Sequence, residues 1–302
     1  MIYTVTLNPS IDYVVEVNEL TAGEIMRTKA EDLIFGGKGI NVSSMLAQLG
    51  MKSCALGFIA GFTGDALEQG VAAMGIQPDF LKVEQGFTRI NVKVHAQEES
   101  EINGQGPQIR YTHLEQLIKK LDRLKKDDIL VLSGNVPCSI PQDIYADIMQ
   151  HLQGSGIRVC VDARQEALMS TLVYHPFLIK PNLAELHQLV ANPQAPVSDQ
   201  IQELRQQGAG HILVSMGAEG SVLFTAEGGV YRQRPLPGQT VSTVGAGDSM
   251  VAGFLASLEN PASTLEDSLR WAAACGTATA FSRGIARREQ VEALLDQIQI
   301  EG

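Results

Sequence analysis

Short apolar runs alternate with helical patterns along most of the chain. Five runs rich in Ile, Leu and Val predict strands, at Ile2–Leu7, Ile129–Leu132, Ile157–Val161, Phe177–Ile179 and Ile212–Ser215. Apolar residues at helical spacing predict helices near 40–49, 141–152, 183–191 and 199–207, and three more near 246–258, 264–281 and 288–297. Short buried strands separated by helices favour a doubly wound α/β fold, in which helices cover both faces of a largely parallel sheet.

Three extended segments interrupt this alternation, at 13–17, 28–34 and Thr88–His95. In the third segment, apolar residues alternate with the polar residues Arg89, Asn91 and Lys93, as on a two-faced strand. We predict a small β-sheet, built from segments near 13–35 and 88–103, that acts as a lid and pairs with a second copy of the chain. Because no linker rich in Pro or Ser divides the chain, residues 1–302 are predicted to form one domain with this lid.

Composition and net charge exclude several classes of function. The chain has 302 residues, of which 44% are hydrophobic and 19% charged, and its net charge is −11. A chain this acidic is a poor nonspecific binder of nucleic acid. The apolar runs are too short to span a bilayer, and the N-terminus has the pattern of a strand rather than of a signal peptide. The four cysteines form no Cys-x-x-Cys pair and the six histidines do not cluster at metal-ligand spacing. We therefore expect a cytoplasmic protein that binds neither nucleic acid nor membranes.

The segment Ser242–Phe254 carries the strongest chemical signal. Gly245, Ala246 and Gly247 stand at the start of a predicted helix, where backbone N–H groups are free and the helix dipole favours an anion. Asp248 follows directly, although a carboxylate beside a bound phosphate is repelled. A general base that takes a proton from a hydroxyl, next to donors that stabilise a transferring phosphoryl group, explains this placement. The alternative makes Asp248 a helix N-cap and the glycines a tight turn.

A second glycine-rich segment, Gly36–Ser43, leads into the first predicted helix. Gly37 permits close backbone approach, Lys38 supplies a positive charge, and Asn41 offers both donors and an acceptor. The segment matches neither the Walker A loop nor the Gly-x-Gly-x-x-Gly dinucleotide pattern. The alternative is an ordinary glycine-rich turn with a solvated lysine.

Polar residues with binding potential occur near the predicted small sheet. Asp12 follows the first strand, at the carboxyl edge where α/β folds bind ligands, and its carboxylate can accept hydrogen bonds from sugar hydroxyls. The alternative makes Asp12 a turn residue. Arg89 and Asn91 share a polar face, where an arginine suits phosphate recognition; the alternative is an exposed arginine.

A further candidate region comprises Lys180–Glu185 and the turn at Ser215–Gly220. Asn182 and Glu185 stand three residues apart at a helix start, and this spacing is also that of a capping box. The functional interpretation places both near Mg²⁺, through its waters, and the nucleotide phosphates. The turn at Ser215–Gly220 follows a strand and is a candidate nucleotide contact, with an ordinary hairpin as the alternative.

Taken in this order, the segments resemble the ribokinase-like sugar kinase family over nearly the whole chain. The resemblance is carried by Thr4–Asp12, Gly36–Asn41 and Ser242–Ser249. Thr88–Lys93, followed by Glu101–Pro107, favours the branch that acts on hexose phosphates, with fructose 1-phosphate as the acceptor. The sequence departs from the family pattern at Asn135, at Arg164–Gln165 and at Arg283, and the first two departures concern a region expected near substrate.

The resemblance implies a doubly wound α/β domain with a β-lid, a homodimer formed through the lids, and transfer of the γ-phosphoryl group of ATP, with Mg²⁺, to a sugar hydroxyl. It implies Asp248 as the base and Gly245, Ala246 and Gly247 as the anion hole. The remaining implied roles are sugar-phosphate binding by Asp12, Gly37, Lys38, Asn41, Arg89 and Asn91, nucleotide binding by Lys180, Asn182, Ser215, Gly217 and Gly220, and Mg²⁺ binding through water by Glu185. The expected reaction is phosphorylation of D-fructose 1-phosphate at its 6-hydroxyl. Phosphorylation of tagatose 6-phosphate or another hexose phosphate, and sugar-phosphate sensing without turnover, are the alternatives.

Overall fold

A computed structural model describes residues 1–302, with strands arranged in a large and a small sheet. The large sheet contains β1 (Ile2–Thr6), β4 (Ser53–Ala60), β5 (Gln77–Pro78), β6 (Leu81–Val83), β9 (Ile129–Ser133), β10 (Arg158–Asp162), β11 (Leu178–Ile179), β12 (His211–Ser215), β13 (Ser221–Phe224), β14 (Val230–Gln233) and β15 (Ile300–Glu301). The small sheet contains β2 (Ser10–Glu16), β3 (Ala30–Gly36), β7 (Arg89–His95) and β8 (Glu99–Asn103).

Ten α-helices accompany the sheets. They are α1 (Lys38–Gln48), α2 (Gly61–Ala73), α3 (Tyr111–Leu121), α4 (Ile144–His151), α5 (Gln165–Met169), α6 (Leu183–Leu189), α7 (Val197–Gln206), α8 (Ala246–Leu258), α9 (Leu265–Ala280) and α10 (Arg288–Leu295). Short 3₁₀ turns occur at Leu172–Tyr174 and Gly217–Glu219. None of the helices combines the length and the apolar character that crossing a membrane requires.

The large sheet has the strand order β15-β14-β13-β12-β11-β10-β9-β1-β4-β5. Its strands from β12 to β5 pair in parallel, and β13, β14 and β15 extend one edge as antiparallel strands. The chain passes from β1 to β4 on one side and later returns to β9 on the other side. In such folds, ligands bind outside the carboxyl ends of the strands where the winding direction reverses.

Helices cover both faces of the large sheet because its strands are apolar on both faces. Strand β9 directs Leu130 and Leu132 toward a core shared with α3 to α7, and Ile129 and Val131 toward a core shared with α1, α8, α9 and α10. The predicted doubly wound α/β fold is confirmed. Strands β1, β9, β10, β11 and β12 lie where the sequence predicts strands. Strand β4 is not predicted, because all eight of its positions are buried and it lacks the alternation that identifies a strand from sequence.

The small sheet has the order β3-β2-β7-β8, so the second sheet predicted from the extended segments is also present. Its strand β2 begins at Ser10, earlier than predicted, and Asp12 pairs in register with Asn91 of β7. The alternative that made Asp12 a turn residue is therefore wrong. Only one end of the apolar face of this sheet rests on α2, where Phe35 packs so closely that a Cβ on Gly70 would lie 2.1 Å from its ring.

Candidate active site

Two helices begin at the carboxyl edge of the large sheet. Gly37 precedes α1 with φ 128°, and a Cβ there would lie 2.6 Å from Thr6 Cγ2. Gly245 precedes α8 in the left-handed conformation, with φ 77°, and a Cβ there would lie 2.7 Å from Ile285 Cδ1. The N–H groups of Gly247 and Asp248 donate to no backbone carbonyl. The start of α8 therefore presents free donors together with the positive end of the helix dipole.

Asp248 is the third residue of α8 and does not cap it, because Gly245 occupies the N-cap position without a side-chain hydrogen bond. Asp248 is buried, with only 5% of its surface exposed. Its Oδ2 accepts a hydrogen bond of 2.8 Å from Nδ2 of Asn41, in the first turn of α1. The N-cap alternative for Asp248 is therefore wrong, and the contact joins the starts of the two helices.

A buried aspartate at the end of β10 lies between two lysines. Asp162 Oδ1 is 2.9 Å from Lys38 Nζ, and Asp162 Oδ2 is 3.7 Å from Lys180 Nζ. The second carboxylate oxygen is buried without a hydrogen-bond partner. Lys180 also contacts the start of α8, since a Cβ on Gly247 would lie 2.9 Å from its Nζ. Lys38 is thus an ion-paired residue, and the alternative of a solvated lysine is wrong.

These charges set the pKa of the aspartates in opposite directions. Burial, and then the charge of Asp162, raise the pKa of Asp248 to about 6, although Lys38 and Asn41 act against the increase. Burial also opposes ionisation of Asp162, but Lys180 and Lys38 outweigh it and hold the pKa of Asp162 below its usual value. A carboxylate that changes charge near neutral pH, beside one that stays ionised, suits general base catalysis.

Three predicted sugar-phosphate residues lie on one face of the small sheet. Asp12 Oδ1 accepts hydrogen bonds of 2.8 Å from Asn91 Nδ2 and from Ser10 Oγ. Arg89 donates through Nε to the carbonyl of Asn8 at 3.0 Å and leaves its two terminal nitrogens without protein partners. Arg89 is half-buried, so the alternative of a freely exposed arginine is wrong. The free ends of its guanidinium can bind a phosphate in a bidentate manner.

The sugar-phosphate residues adjoin the start of α1. A Cβ on Gly36 would lie 3.6 Å from Asp12 Oδ2, and Gly36 directly precedes Gly37 and Lys38. The structure therefore joins Asp12, Gly37, Asn41 and Asp248 in one continuous region, with the phosphate-binding candidate Arg89 at one end and the base candidate at the other.

One predicted nucleotide residue, Lys180, thus lies beside Asp162 and Gly247. The others, Asn182, Ser215, Gly217 and Gly220, lie farther along the same sheet edge. Asn182 and Glu185 make the capping box of α6, with hydrogen bonds of 2.8 Å and 3.0 Å between side chains and backbone N–H groups. The capping interpretation is therefore confirmed for this pair. The other oxygen of Glu185 is 3.3 Å from Nε of Arg164, and the charge of Glu185 also acts on Lys38. Asn182 lies beside Ser215 through an isolated parallel bridge.

The glycines after Ser215 form the connection between β12 and the antiparallel strand β13, as the hairpin alternative predicted. Gly220 has φ 88°, and a Cβ there would lie 2.3 Å from the carbonyl oxygen of Gln233. Gly217 has φ 58° and open space around it. The positive φ of the turn and the nearby carbonyl of Gln233 explain why a glycine is needed at position 220. Neither Gly217 nor Gly220 contacts the residues around Asp248.

Asp162 and Lys93 have no role predicted from the sequence, and the structure places both inside the site. Asp162 ends a buried strand at the carboxyl edge, and that position was the available signal. Lys93 shares its predicted strand face with Arg89 and Asn91, and its Nζ lies 2.9 Å from Asp12 Oδ2. No three His, Cys, Asp or Glu side chains converge as a set of metal ligands.

The sequence profile of the pfkB family carbohydrate kinases matches residues 5–290. The chain belongs to the PfkB family. Membership confirms the resemblance to sugar kinases and identifies the chain as a carbohydrate kinase.

Similar proteins extend over the whole length of this PfkB kinase. It is 40% identical to the 1-phosphofructokinase of Bacillus subtilis, with 99% of both chains covered. It is 36% identical to the D-tagatose-1-phosphate kinase of Bacillus licheniformis, again with 99% of both covered. The crystal structure of phosphofructokinase-2 from Escherichia coli in complex with substrates and products matches with a TM-score of 0.91 at 29% identity, covering 98% of each chain.

Proposed function

We propose that this kinase transfers the γ-phosphoryl group of ATP to the 6-hydroxyl of D-fructose 1-phosphate, giving fructose 1,6-bisphosphate and ADP. The observation that carries the proposal is the position of Asp248: a buried carboxylate with a pKa of about 6 beside free backbone donors at the start of α8. The 40% identity with a 1-phosphofructokinase over the whole chain supports the choice of acceptor.

In the proposed reaction, Asp248 accepts the proton of the 6-hydroxyl as the hydroxyl oxygen attacks the γ-phosphorus. The bond between that phosphorus and the bridging oxygen breaks, and ADP leaves with the bonding electrons. The N–H groups of Gly247 and Asp248, together with Lys180, stabilise the charge on the transferring group. Asn41 holds the carboxylate of Asp248 by its 2.8 Å hydrogen bond, so that the base keeps one orientation.

The phosphate already on the sugar serves as a remote binding group. Arg89 offers two free terminal nitrogens on the small sheet, and Asp12 and Asn91 lie beside it for the sugar hydroxyls. Binding energy gained there orients the 6-hydroxyl against the donor phosphate. In this scheme Lys38, which is paired with Asp162, interacts with the phosphates of ATP more directly than with the 1-phosphate of the sugar.

The residues present fit a divalent cation held mainly by nucleotide phosphates and water. Mg²⁺ is usually bound through one or two carboxylates plus substrate phosphates, and when bound it neutralises charge on those phosphates. Asp162 supplies a buried carboxylate oxygen that has no hydrogen-bond partner and lies 3.7 Å from Lys180, and Glu185 supplies a second carboxylate whose charge acts on Lys38. Asn182 and Ser215 lie on the nucleotide side in this proposal. The proposal places the kinase in the cytoplasm, where ATP is available.

A homodimer through the small sheet is part of the proposal. Tyr13, Leu33, Val92 and Ile102 form one row across all four strands, on the face opposite Asp12. Leu33 is 60% and Ile102 69% exposed in the single chain, so a partner would bury apolar surface there. Sedimentation analysis of the wild type and of Ile102→Glu tests this: we expect a dimer that the substitution weakens, and a monomeric wild type would contradict it.

An ADP-release assay over a panel of acceptors tests the proposed function. We expect the highest kcat/KM for D-fructose 1-phosphate, a lower value for its C4 epimer D-tagatose 1-phosphate, and much lower values for tagatose 6-phosphate and fructose 6-phosphate. A preference above about tenfold for a 6-phosphate would overturn the assignment, because each tenfold ratio reflects about 1.4 kcal/mol of transition-state binding. ADP release that does not depend on any sugar phosphate would contradict the kinase mechanism itself.

A further inference from the structure

Lys93 lies on the same face of β7 as Arg89 and Asn91, but its contacts differ from theirs. Its Nζ is 2.9 Å from Asp12 Oδ2 and 3.5 Å from Glu101 Oε1, and its side chain is 20% exposed. Glu101 pairs with Lys93 in register across β7 and β8. The ammonium group of Lys93 is therefore enclosed between two carboxylates rather than free for a ligand.

The hydrogen bonds of Asp12 leave little of its carboxylate open. An ionised carboxylate offers about four acceptor positions, two on each oxygen. Asn91 and Ser10 donate to Oδ1, and Lys93 donates to Oδ2. One position remains, on Oδ2, and this oxygen lies close to Gly36, the last residue of β3 before α1.

The segment that follows Glu101 fixes the other partners of Asp12. The N–H of Gly104 donates to Asn91 Oδ1 at 3.2 Å, which orients the amide so that its Nδ2 points to Asp12. A Cβ on Gly104 would lie 2.7 Å from the carbonyl oxygen of Ile90, so only glycine fits there. The Glu101–Pro107 segment therefore holds Asn91 and Lys93, two partners of Asp12, in place.

The two cations of β7 consequently have different tasks. Arg89 uses only Nε in a protein contact and keeps its terminal nitrogens free, whereas Lys93 is committed to Asp12 and Glu101. We propose that Lys93 is a positioning residue: it holds Asp12 so that a single acceptor position remains for one sugar hydroxyl, and Glu101 holds Lys93. This inference rests on the proposed function in one respect, since it takes Asp12 to bind the sugar.

Removing the cation should weaken sugar binding selectively. In Lys93→Met the carboxylate of Asp12 loses its 2.9 Å partner and its fixed orientation, whereas the base and the nucleotide side, which Lys93 does not contact, keep theirs. We expect the KM and the calorimetric Kd for the sugar phosphate to rise about 10- to 100-fold, because a displaced Asp12 loses its own charged hydrogen bond to the sugar hydroxyl. The kcat and the KM for ATP should change less than about threefold, since no contact of the reacting groups is lost.

Two matched variants complete the experiment. Lys93→Arg keeps a cation facing Asp12 and should recover most of the lost affinity, and Glu101→Gln, which removes only the outer carboxylate, should have an effect smaller than that of Lys93→Met. Should circular dichroism show that Lys93→Met does not fold, Lys93→Gln carries the test, because an uncharged donor still fits the site. A sugar Kd within twofold of wild type, or a loss in kcat with the Kd unchanged, would overturn the inference.

The sugar used for these measurements keeps the two proposals distinguishable. Each variant is measured with the ketohexose phosphate that the wild type turns over fastest. If that acceptor is not fructose 1-phosphate, the proposed function fails while the comparison of Lys93 variants still decides the role of Lys93. If the wild type prefers fructose 1-phosphate and Lys93→Met binds it equally well, only the role of Lys93 fails.

Discussion

Replacing Asp248 by asparagine removes a buried charge while the size of the side chain and its contact with Asn41 are kept. Burial and the charge of Asp162 raise the pKa of Asp248 from 3.8 to about 6. Since one pH unit corresponds to about 1.4 kcal/mol, holding this carboxylate ionised in the folded chain costs about 3 kcal/mol. The substitution Asp248→Asn removes that cost, so we expect the inactive variant to be more stable than the wild type.

The pH dependence of the gain follows from proton linkage. Between pH 3.8 and about 6 the folded chain retains a proton on Asp248 that the unfolded chain has released. The contribution of this group to the free energy of unfolding is therefore fully present below pH 3.8 and is lost as the pH rises through about 6. The asparagine variant has no such loss, so its advantage should be about 3 kcal/mol at pH 8 and about half of that at pH 5.

Calorimetric melting without ligands measures this difference. For a chain of this length, a gain of about 3 kcal/mol corresponds to a rise in Tm of about 5 °C. Asp65→Asn is the matched control: its carboxylate is 57% exposed and paired with Lys82, so its effect should stay below about 1 kcal/mol at both pH values. The same Asp248→Asn preparation should lose about 10²- to 10⁴-fold in kcat. A variant no more stable than wild type at pH 8, or one whose gain is equal at pH 5 and pH 8, would refute the reasoning.

Further predictions concern the base, the start of α8 and the two ends of the site. The kcat/KM of the wild type should fall as the pH drops below about 6, because Asp248 accepts a proton only when ionised; a profile flat down to pH 5 would exclude it as the base. Gly245→Ala should lower the free energy of unfolding by about 1–2 kcal/mol in urea titrations, since φ is 77° there and the new Cβ meets Ile285. Arg89→Met should raise the KM for the sugar phosphate at least about tenfold with the KM for ATP unchanged, and equal changes in both would contradict its assignment. Lys38→Met should cost about 3 kcal/mol of stability, the low end for a broken buried ion pair, because Asp162 keeps its 3.7 Å contact with Lys180; denaturant titration measures this loss.

The sequence predicts the layered part of the fold because local patterns determine it. Strands such as β9 and β10 are short, apolar on both faces and followed by helices, so each is recognisable within a few residues. Helix α2 is different, because Gly61, Gly64 and Gly70 weaken its helical pattern. Gly70 is required there by Phe35, a residue of the small sheet, and such a distant contact leaves no local signal.

The site shows the same division between local and distant information. The free donors at Gly247 and Asp248 follow from a glycine-rich helix start, which sequence alone identifies. The ion pair between Lys38 and Asp162 joins residues 124 positions apart, and it becomes visible only when the order of β1, β9 and β10 in the sheet is known. Lys93 illustrates a third case: its strand face was predictable, but its commitment to Asp12 depends on the registers of β2 and β8 against β7.

The charges at the carboxyl edge explain how one aspartate becomes a base while another remains ionised. Asp162 lies between Lys38 and Lys180, so its negative charge is compensated locally and its pKa stays low. Asp248 is deeply buried and lies in the field of Asp162, and these two effects outweigh the hydrogen bond from Asn41, so its pKa is raised toward neutrality. The burial of Asp248 lowers the stability of the folded chain and also gives the carboxylate its affinity for a proton. Because general base catalysis requires this affinity, a substitution that removes the loss of stability also removes the activity.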